Sequence, residues 1–321
     1  MATPAGPLEC EVYPVWPLVL RVGGGRDGVV RRCGEGRAGR LLRVEGSPIL
    51  ASWWRRGDAV VIRCEAIDPA ATNRPAELAA ATAAQLREAS LLIRFMLGID
   101  EHLGEFCARF RDDDLLGPAI RRRNWVRPPR RPVPWEALAW AVTEQLIETE
   151  LASEIQRRLV ARWGLVADLG ELGKFRDVPT AAAIAAAAPA EIAACGLAPM
   201  RAISLIKAAR EVASGRVDPG QPDGDRRLAA ISGIGPWTLQ CLAQSGRGDH
   251  DALPAGDLAY IKLVGRLADL GRRAEVEEVE RFFDPYDPYR GLAGYYAKLH
   301  YHLGVAAGPP SRLRSGHRRV A

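Results

Sequence analysis

Two short stretches of this 321-residue chain combine turn-forming glycines and prolines with groups able to bind or react. The first is Leu228-Ala229-Ala230-Ile231-Ser232-Gly233-Ile234-Gly235-Pro236-Trp237-Thr238. It reads as a helix that ends, a Gly233-Ile234-Gly235 turn, and a new helix opened by Pro236, which suits a first helical position. Glycines permit positive φ and put no side chain in the way. Backbone N–H groups at such a turn and at the next helix start lack intrahelical partners. They can receive a phosphate oxygen, helped by the helix dipole, and so form a sequence-independent DNA anchor. Taken alone, the same turn describes an ordinary helix–helix connection. The second stretch is Asp251-Ala252-Leu253-Pro254-Ala255-Gly256-Asp257-Leu258. Pro254 and Gly256 break the chain, and Asp257 begins a helix containing Ile261, Val264 and Leu267. In isolation Asp257 reads as a plain N-cap.

Other chemistries find little support. The six cysteines (Cys10, Cys33, Cys64, Cys107, Cys195 and Cys241) form no C-x-x-C pair, so neither a zinc site nor an Fe–S cluster is expected. They read as reduced and mostly buried. The histidines are dispersed, and His300 and His302 would fall on different faces of a helix. No metal site is expected.

Residues 8 to 66 look strand-rich. Val12, Val19, Leu20, Val22, Val29, Val30, Leu41, Leu42 and Val44 fall in short runs broken by Gly and Pro, and Ala59–Cys64 reads as a further strand. From Ala76 to about Leu97 the pattern is helical, and residues 99 to 116 are expected to form another short helix. From Pro134 onward everything looks helical: one helix to about Thr143, a second from about Glu148 to Trp163, short Ala-rich helices over 181–188 and 190–194, and one from Pro199 to near Gly215. Between them lie Arg121, Arg122, Arg123, Arg127, Arg130 and Arg131, with Pro128, Pro129 and Pro132 keeping the stretch out of a helix. This cluster is either a solvated linker or a set of phosphate contacts. The tail adds Arg312, Arg314, Arg318 and Arg319. The net charge of +5 hints at a polyanionic partner. The N-terminus does not read as a signal peptide and no apolar run spans a membrane, so a cytoplasmic, nucleoid-associated protein with no membrane partner is expected.

Together the two stretches resemble the helix-hairpin-helix (HhH-GPD) DNA glycosylase superfamily. The sequence is most similar to its 3-methyladenine DNA glycosylase II (AlkA-like) branch. The hairpin Gly233-Ile234-Gly235-Pro236-Trp237-Thr238 and the loop ending at Asp257 carry the resemblance. So do Trp135-Glu136-Ala137-Leu138 through Gln145-Leu146, the helix after Cys195-Gly196-Leu197, and Asp287-Pro288-Tyr289-Arg290-Gly291-Leu292-Ala293. The resemblance implies an α+β fold: a small N-terminal antiparallel β-sheet (TBP-like) domain over 1–98, an all-α glycosylase domain over 99–307, and a disordered basic tail over 308–321. It implies Asp257 as the catalytic carboxylate, with Trp237 and Tyr289 lining the base pocket. Leu146 would be the wedge, beside Gln145. Gly233, Ile234, Gly235 and Thr238 would contact DNA, and a monovalent cation would sit on hairpin carbonyls. The partner would be double-stranded DNA containing damaged bases, bound by a monomer. Glu144 before Gln145, and Glu148 where relatives carry Ser, depart from the branch; a carboxylate near the DNA backbone would weaken binding.

The implied chemistry suits these residue types. An alkylated purine carrying positive charge is already a good leaving group, and a carboxylate beside the sugar stabilises the oxocarbenium-like transition state. Aromatic faces attract cationic bases, by roughly 0.5–2 kcal/mol. A dedicated general acid is not essential and no strong candidate stands out. Relatives that also cut the strand carry a Schiff-base Lys where Trp237 stands, so base removal without lyase activity is expected. The alternatives are a non-catalytic helix-hairpin-helix DNA-binding protein and a bifunctional glycosylase/lyase for oxidised bases.

Overall fold

The computed structural model describes residues 6–302. Five antiparallel strands form the N-terminal sheet: β1 (Leu8–Val12), β2 (Arg31–Arg32), β3 (Arg37–Val44), β4 (Ser47–Arg56) and β5 (Ala59–Ala66), in the order β1-β5-β4-β3-β2. Helix α1 (Ala83–Leu97) packs Leu86, Ala89 and Ile93 onto Leu42, Ala51, Trp53, Val60 and Ile62 of one sheet face. It starts at Ala83 and not near Ala76, because Thr82 and Gln85 form a reciprocal capping box that fixes the first turn there.

The opposite face of the sheet is also covered. Leu41 and Leu50 meet Leu165, Ala167 and Phe175. The last three belong to or flank a two-stranded ribbon, β6 (Val166–Asp168) paired with β7 (Lys174–Arg176). The expectation that everything after Pro134 is helical is corrected at this ribbon. Three-residue strands are too short to show an alternating pattern.

The helical half has two cores. One, the hairpin lobe, is a continuous run of chain: α4 (Pro134–Glu144), α5 (Thr149–Trp163), α6 (Ala181–Ala186), α7 (Pro189–Ala193), α8 (Pro199–Ala213), α9 (Asp225–Ala229) and α10 (Pro236–Cys241). Leu138, Val142, Ile155, Leu205, Leu228 and Ile234 share its core. The carboxylate lobe is built from both sides of that run. It joins α2 (Gly104–Phe110) and α3 (Gly117–Arg123) to α11 (Leu258–Leu267), α12 (Val276–Phe283) and α13 (Arg290–His302). Phe106, Phe110, Tyr260, Leu263, Phe283 and Tyr296 share that second core.

The arginine cluster is neither a solvated linker nor one set of phosphate contacts. Arg121–Arg123 lie in the last turn of α3, where cations complement the helix dipole, so the helical stretch reaches further than the downstream prolines suggested. Arg127 is 8% exposed and donates to the carbonyls of Pro17, Trp125 and Glu101. Arg130 pairs with Glu101 at 3.0 Å, and Arg131 bridges Asp27 and Glu136. Glu136 also takes Arg40 of β3 at 2.8 Å, and Arg40 reaches Asp177 at 3.3 Å. This buried network ties the sheet domain to the hairpin lobe. Burial opposes the charge on Asp27, but Arg131, the Val29 N–H, Arg40 and Trp140 together hold its carboxyl below the usual range. The tail arginines and residues 308–321 lie outside the described residues.

Candidate active site

The hairpin forms as its glycines require. Gly233 has φ +89°, and a Cβ there would sit 2.6 Å from Ser204 Oγ, so only glycine fits. Gly235 has φ −108°, an extended value open to any residue, and caps α10 with empty space where a Cβ would be. Among the described residues, no protein acceptor takes the Gly233 or Gly235 N–H. Ile234 is different. Its side chain is 3% exposed and its N–H donates to the Ile231 carbonyl at 2.9 Å, so its amide closes the turn and is not free for a phosphate.

The loop between α4 and α5 lies against this hairpin. Gln145 Nε2 donates to the Gly233 carbonyl at 2.7 Å and to Thr238 Oγ1 at 2.8 Å. Thr238 is 1% exposed, and its N–H is spent on the Gly235 carbonyl. Gln145 and Thr238 thus fasten loop to hairpin. Next in the chain, Leu146 is 95% exposed with φ +55°. It is no core leucine. A non-glycine residue in the left-handed region costs on the order of 1–2 kcal/mol, and here it presents a bare isobutyl group to solvent. The hairpin carbonyls of Ser232 and Gly233 each accept one protein donor, from Ser204 and Gln145, which leaves a lone pair on each for a cation. Among the described residues no cluster of His, Cys, Asp or Glu has metal-ligand form.

Asp257 arrives from the other lobe. It is the N-cap of α11, with Oδ1 accepting the Ala259 N–H at 2.8 Å. Capping occupies one oxygen only. Oδ2 faces Lys298 Nζ at 3.9 Å, with the Asp257 side chain 34% exposed. The loop before it is pinned to α13: Arg290 donates to Asp251, Leu292 N–H donates to the His250 carbonyl, and a Cβ at Gly291 would overlap the Ala252 carbonyl. Trp237 lies over the same loop, its Cβ and Cδ1 each 3.6 Å from where a Gly256 Cβ would be. Hairpin and carboxylate therefore meet where the two lobes adjoin.

Several groups share this seam. Lys298 Nζ sits 4.8 Å from the Tyr260 ring centre and 5.8 Å from that of Tyr295. Burial pushes the Cys241 thiol far up, aided by the charges of Glu144 and Asp257, so it stays neutral. Burial also raises the Glu144 carboxyl, against the pull of Arg131 and of the Gln156 hydrogen bond, with Asp257 among the charges that raise it further. Glu144 lines a cleft of about 620 Å³ between the sheet domain and the helical half, together with Gly23–Gly25, Trp53, Trp125, Arg131 and Gln156. Among the described residues no ring contact joins Tyr289 to Trp237; Tyr289 is held by other aromatics. Its ring neighbours are Phe106 at 5.7 Å, His250 at 6.3 Å and Phe110 at 6.5 Å. Lys298, Cys241 and Tyr295 were not singled out from the sequence. The signal available was the i, i+3 spacing of Tyr295 and Lys298 on one helix face, which names no partner.

Comparison with known proteins agrees with this architecture. The family described as HhH-GPD superfamily base excision DNA repair protein matches residues 139–288. A DNA-3-methyladenine glycosylase of Bacillus subtilis is 24% identical over 204 residues, covering 62% of this chain and 67% of that protein. A Mycobacterium tuberculosis protein named probable bifunctional transcriptional activator/DNA repair enzyme AlkA is 30% identical over 176 residues. That match covers 54% of this chain but only 35% of the relative. The solved 3-methyladenine DNA-glycosylase from Archaeoglobus fulgidus superposes with a TM-score of 0.72 at 17% identity. It covers 94% of this chain and all of that one, a likeness of fold that includes the N-terminal sheet. The matched stretch, just under half of the chain, begins within α4, takes in the hairpin and the Asp257 loop and ends just before α13; over it the chain is similar to the HhH-GPD superfamily of base excision DNA repair proteins.

Proposed function

We propose that the chain is a DNA glycosylase of base-excision repair that hydrolyses the N-glycosidic bond of a flipped-out alkylated base and leaves the strand uncut. The observation that carries this reading is the convergence of three parts at one seam: free amides at Gly233 and Gly235, an exposed Leu146 fastened to them through Gln145, and Asp257 with one oxygen left out of the helix cap and facing Lys298. The partner is double-stranded DNA bearing a damaged base, bound by a monomer.

In this reading the Gly233 and Gly235 amides take a phosphate oxygen, and a monovalent cation on the hairpin carbonyls adds positive charge there. Leu146 enters the duplex and fills the place of the departed nucleotide. Flipping costs a few kcal/mol, less at a damaged pair. Asp257 Oδ2 lies beside the sugar, stabilises its developing charge, and takes the proton of the attacking water. Trp237 walls the base pocket with an indole face suited to a cationic base. Tyr289, set among Phe106, Phe110 and His250, supports that pocket from the carboxylate lobe.

The test is base release from methylated duplex DNA. Asp257→Asn should abolish release and keep binding; unchanged release would refute the assignment. A strand-cutting reading draws on the amine beside Asp257, which is Lys298. Paired as an ammonium it is no nucleophile. Borohydride should therefore trap no covalent adduct, and an adduct would overturn the proposal that the strand is left uncut.

A further inference from the structure

One loop of the sheet domain reaches the segment that carries Leu146. Gly23-Gly24-Gly25-Arg26-Asp27 runs between β1 and β2 and lines the cleft together with Thr149 and Gln156 of α5. Buried Asp27 accepts from Trp140 Nε1 of α4 at 3.1 Å and from Arg131 at 2.9 Å. The Arg26 carbonyl accepts from Arg157 of α5 at 2.6 Å, and the Arg26 guanidinium pairs with Glu150, in the first turn of α5, at 3.2 Å. The Gly25 N–H closes the loop on the Val30 carbonyl at 2.8 Å. The loop is thus held to α4 and α5, the two helices that the Leu146 loop joins. What it shows to solvent suits an anion. Gly23 and Gly24 are exposed, and among the described residues no protein acceptor takes either N–H. A Cβ at Gly23 would meet nothing within 4 Å, so approach there is open. Arg26 is exposed, with the exposed Arg157 beside it.

We infer that this loop is a second DNA-backbone contact, in which the Gly23 and Gly24 amides and the Arg26 guanidinium hold a phosphate of the duplex that Leu146 enters. The inference rests on the DNA-binding part of the reading above and gives the sheet domain a share in it. Leu146 and Glu150 are four residues apart in the chain, at most about 14 Å even if extended, and Glu148, Thr149 and Glu150 between wedge and Arg26 are all exposed. One strand carries a phosphate about every 3.4 Å of duplex axis, so a duplex entered at Leu146 has several within that span. Glu148 and Glu150 repel such a backbone, and Arg26 cancels one of them. An exposed ion pair is worth little, so Arg26 exchanges Glu150 for a phosphate at small cost. The wedge then stands between two grips, the hairpin tied to its loop through Gln145 and the sheet-domain loop tied to α5 through Arg26 and Arg157. Backbone contacts carry no sequence information, so the loop strengthens binding to damaged and undamaged duplex alike.

The test is fluorescence anisotropy on an undamaged duplex and on one carrying an abasic-site analogue, across about 50–200 mM salt. Arg26→Ala should lower the slope of log K against log salt by about 0.9, the worth of one phosphate, for both duplexes. Its urea midpoint should match wild type, since only an exposed pair is lost. Arg26→Lys keeps a point charge and should restore the slope. Gly23→Asp fits the open space without a clash, sets an anion beside the free amides, and should weaken binding to both duplexes. Arg56→Ala removes the same charge where it pairs with Glu9 and Glu11 at the end of β4, and should leave the slope unchanged. An unchanged slope in Arg26→Ala would overturn the inference, as would an equal fall in Arg56→Ala, which would make the effect one of net charge. Either result leaves the hairpin grip and the glycosylase reading intact. Wild-type protein that binds neither duplex would overturn both.

Discussion

Replacing Leu146 by alanine and by glycine separates what its side chain does from what its backbone costs. The side chain is 95% exposed in the free protein, so nearly all its apolar area is available for burial in a duplex. Full burial of a leucine is worth about 1.5–3 kcal/mol, and each 1.36 kcal/mol is tenfold. Leu146→Ala should therefore weaken binding to a duplex carrying an abasic-site analogue, and slow single-turnover release, by roughly 10- to 150-fold. Folding stability should barely move, since no packing is lost. Leu146→Gly removes the same wedge but also relieves φ +55°. Relief of about 1–2 kcal/mol, less about 0.4–1 kcal/mol for the freer unfolded chain, leaves glycine more stable than alanine by up to about 1.5 kcal/mol. Urea denaturation measures the stability term and fluorescence anisotropy the binding term. Wild-type affinity in both variants would refute the wedge. Lower stability for glycine than for alanine would refute the strain.

Other substitutions test the surrounding architecture. Glu136→Gln, at a fully buried residue bound by Arg40 and Arg131, should destabilise by about 3–5 kcal/mol in urea, because two guanidiniums lose their shared anion. Gly233→Ala should cost about 1–3 kcal/mol through its positive φ and its clash with Ser204, and should weaken binding even to undamaged duplex. Glu144 is raised above its ordinary value of 4.5, chiefly by burial, so its contribution is fully present below that value and is lost as pH rises through the folded pKa. Glu144→Gln keeps the oxygen that accepts from Gln156; its urea midpoint should exceed wild type at neutral pH and converge with it in acid. The same variant should bind DNA more tightly at low salt, since a carboxylate facing the cleft is removed.

The parts legible in the sequence were those set by local chemistry. Pro236 after Gly235 declares a helix start, and Pro254-Ala255-Gly256-Asp257 declares a break followed by a cap. Apolar runs in 37–66 gave the strands their place, although the ribbon at 166–176 left too few residues for any period. What could not be read was set by distant partners. Arg127, Arg130 and Arg131 look like a surface patch until Glu101, Asp27 and Glu136 are known to face them. The exposure of Leu146 comes from a left-handed backbone that its own sequence does not declare. Lys298 lies beyond the loop that holds Asp257, and only the packing of α13 against that loop brings ammonium and carboxylate together.

The order in which the two helical lobes use the chain bears on how the protein comes into being. Apart from Val29, the hairpin lobe's core is drawn from one uninterrupted segment, whereas the carboxylate lobe closes only when α11–α13 return to α2 and α3 across all of it. Local structure forms faster than structure that must close a long loop. On the proposed reading, a chain emerging from the ribosome is expected to complete the lobe with the hairpin before the lobe with Asp257 exists, and pulse-labelled hydrogen exchange should show α4–α10 protected ahead of α2, α3 and α11–α13. On that reading, such an order would let an unfinished chain hold DNA with no means of removing a base from it.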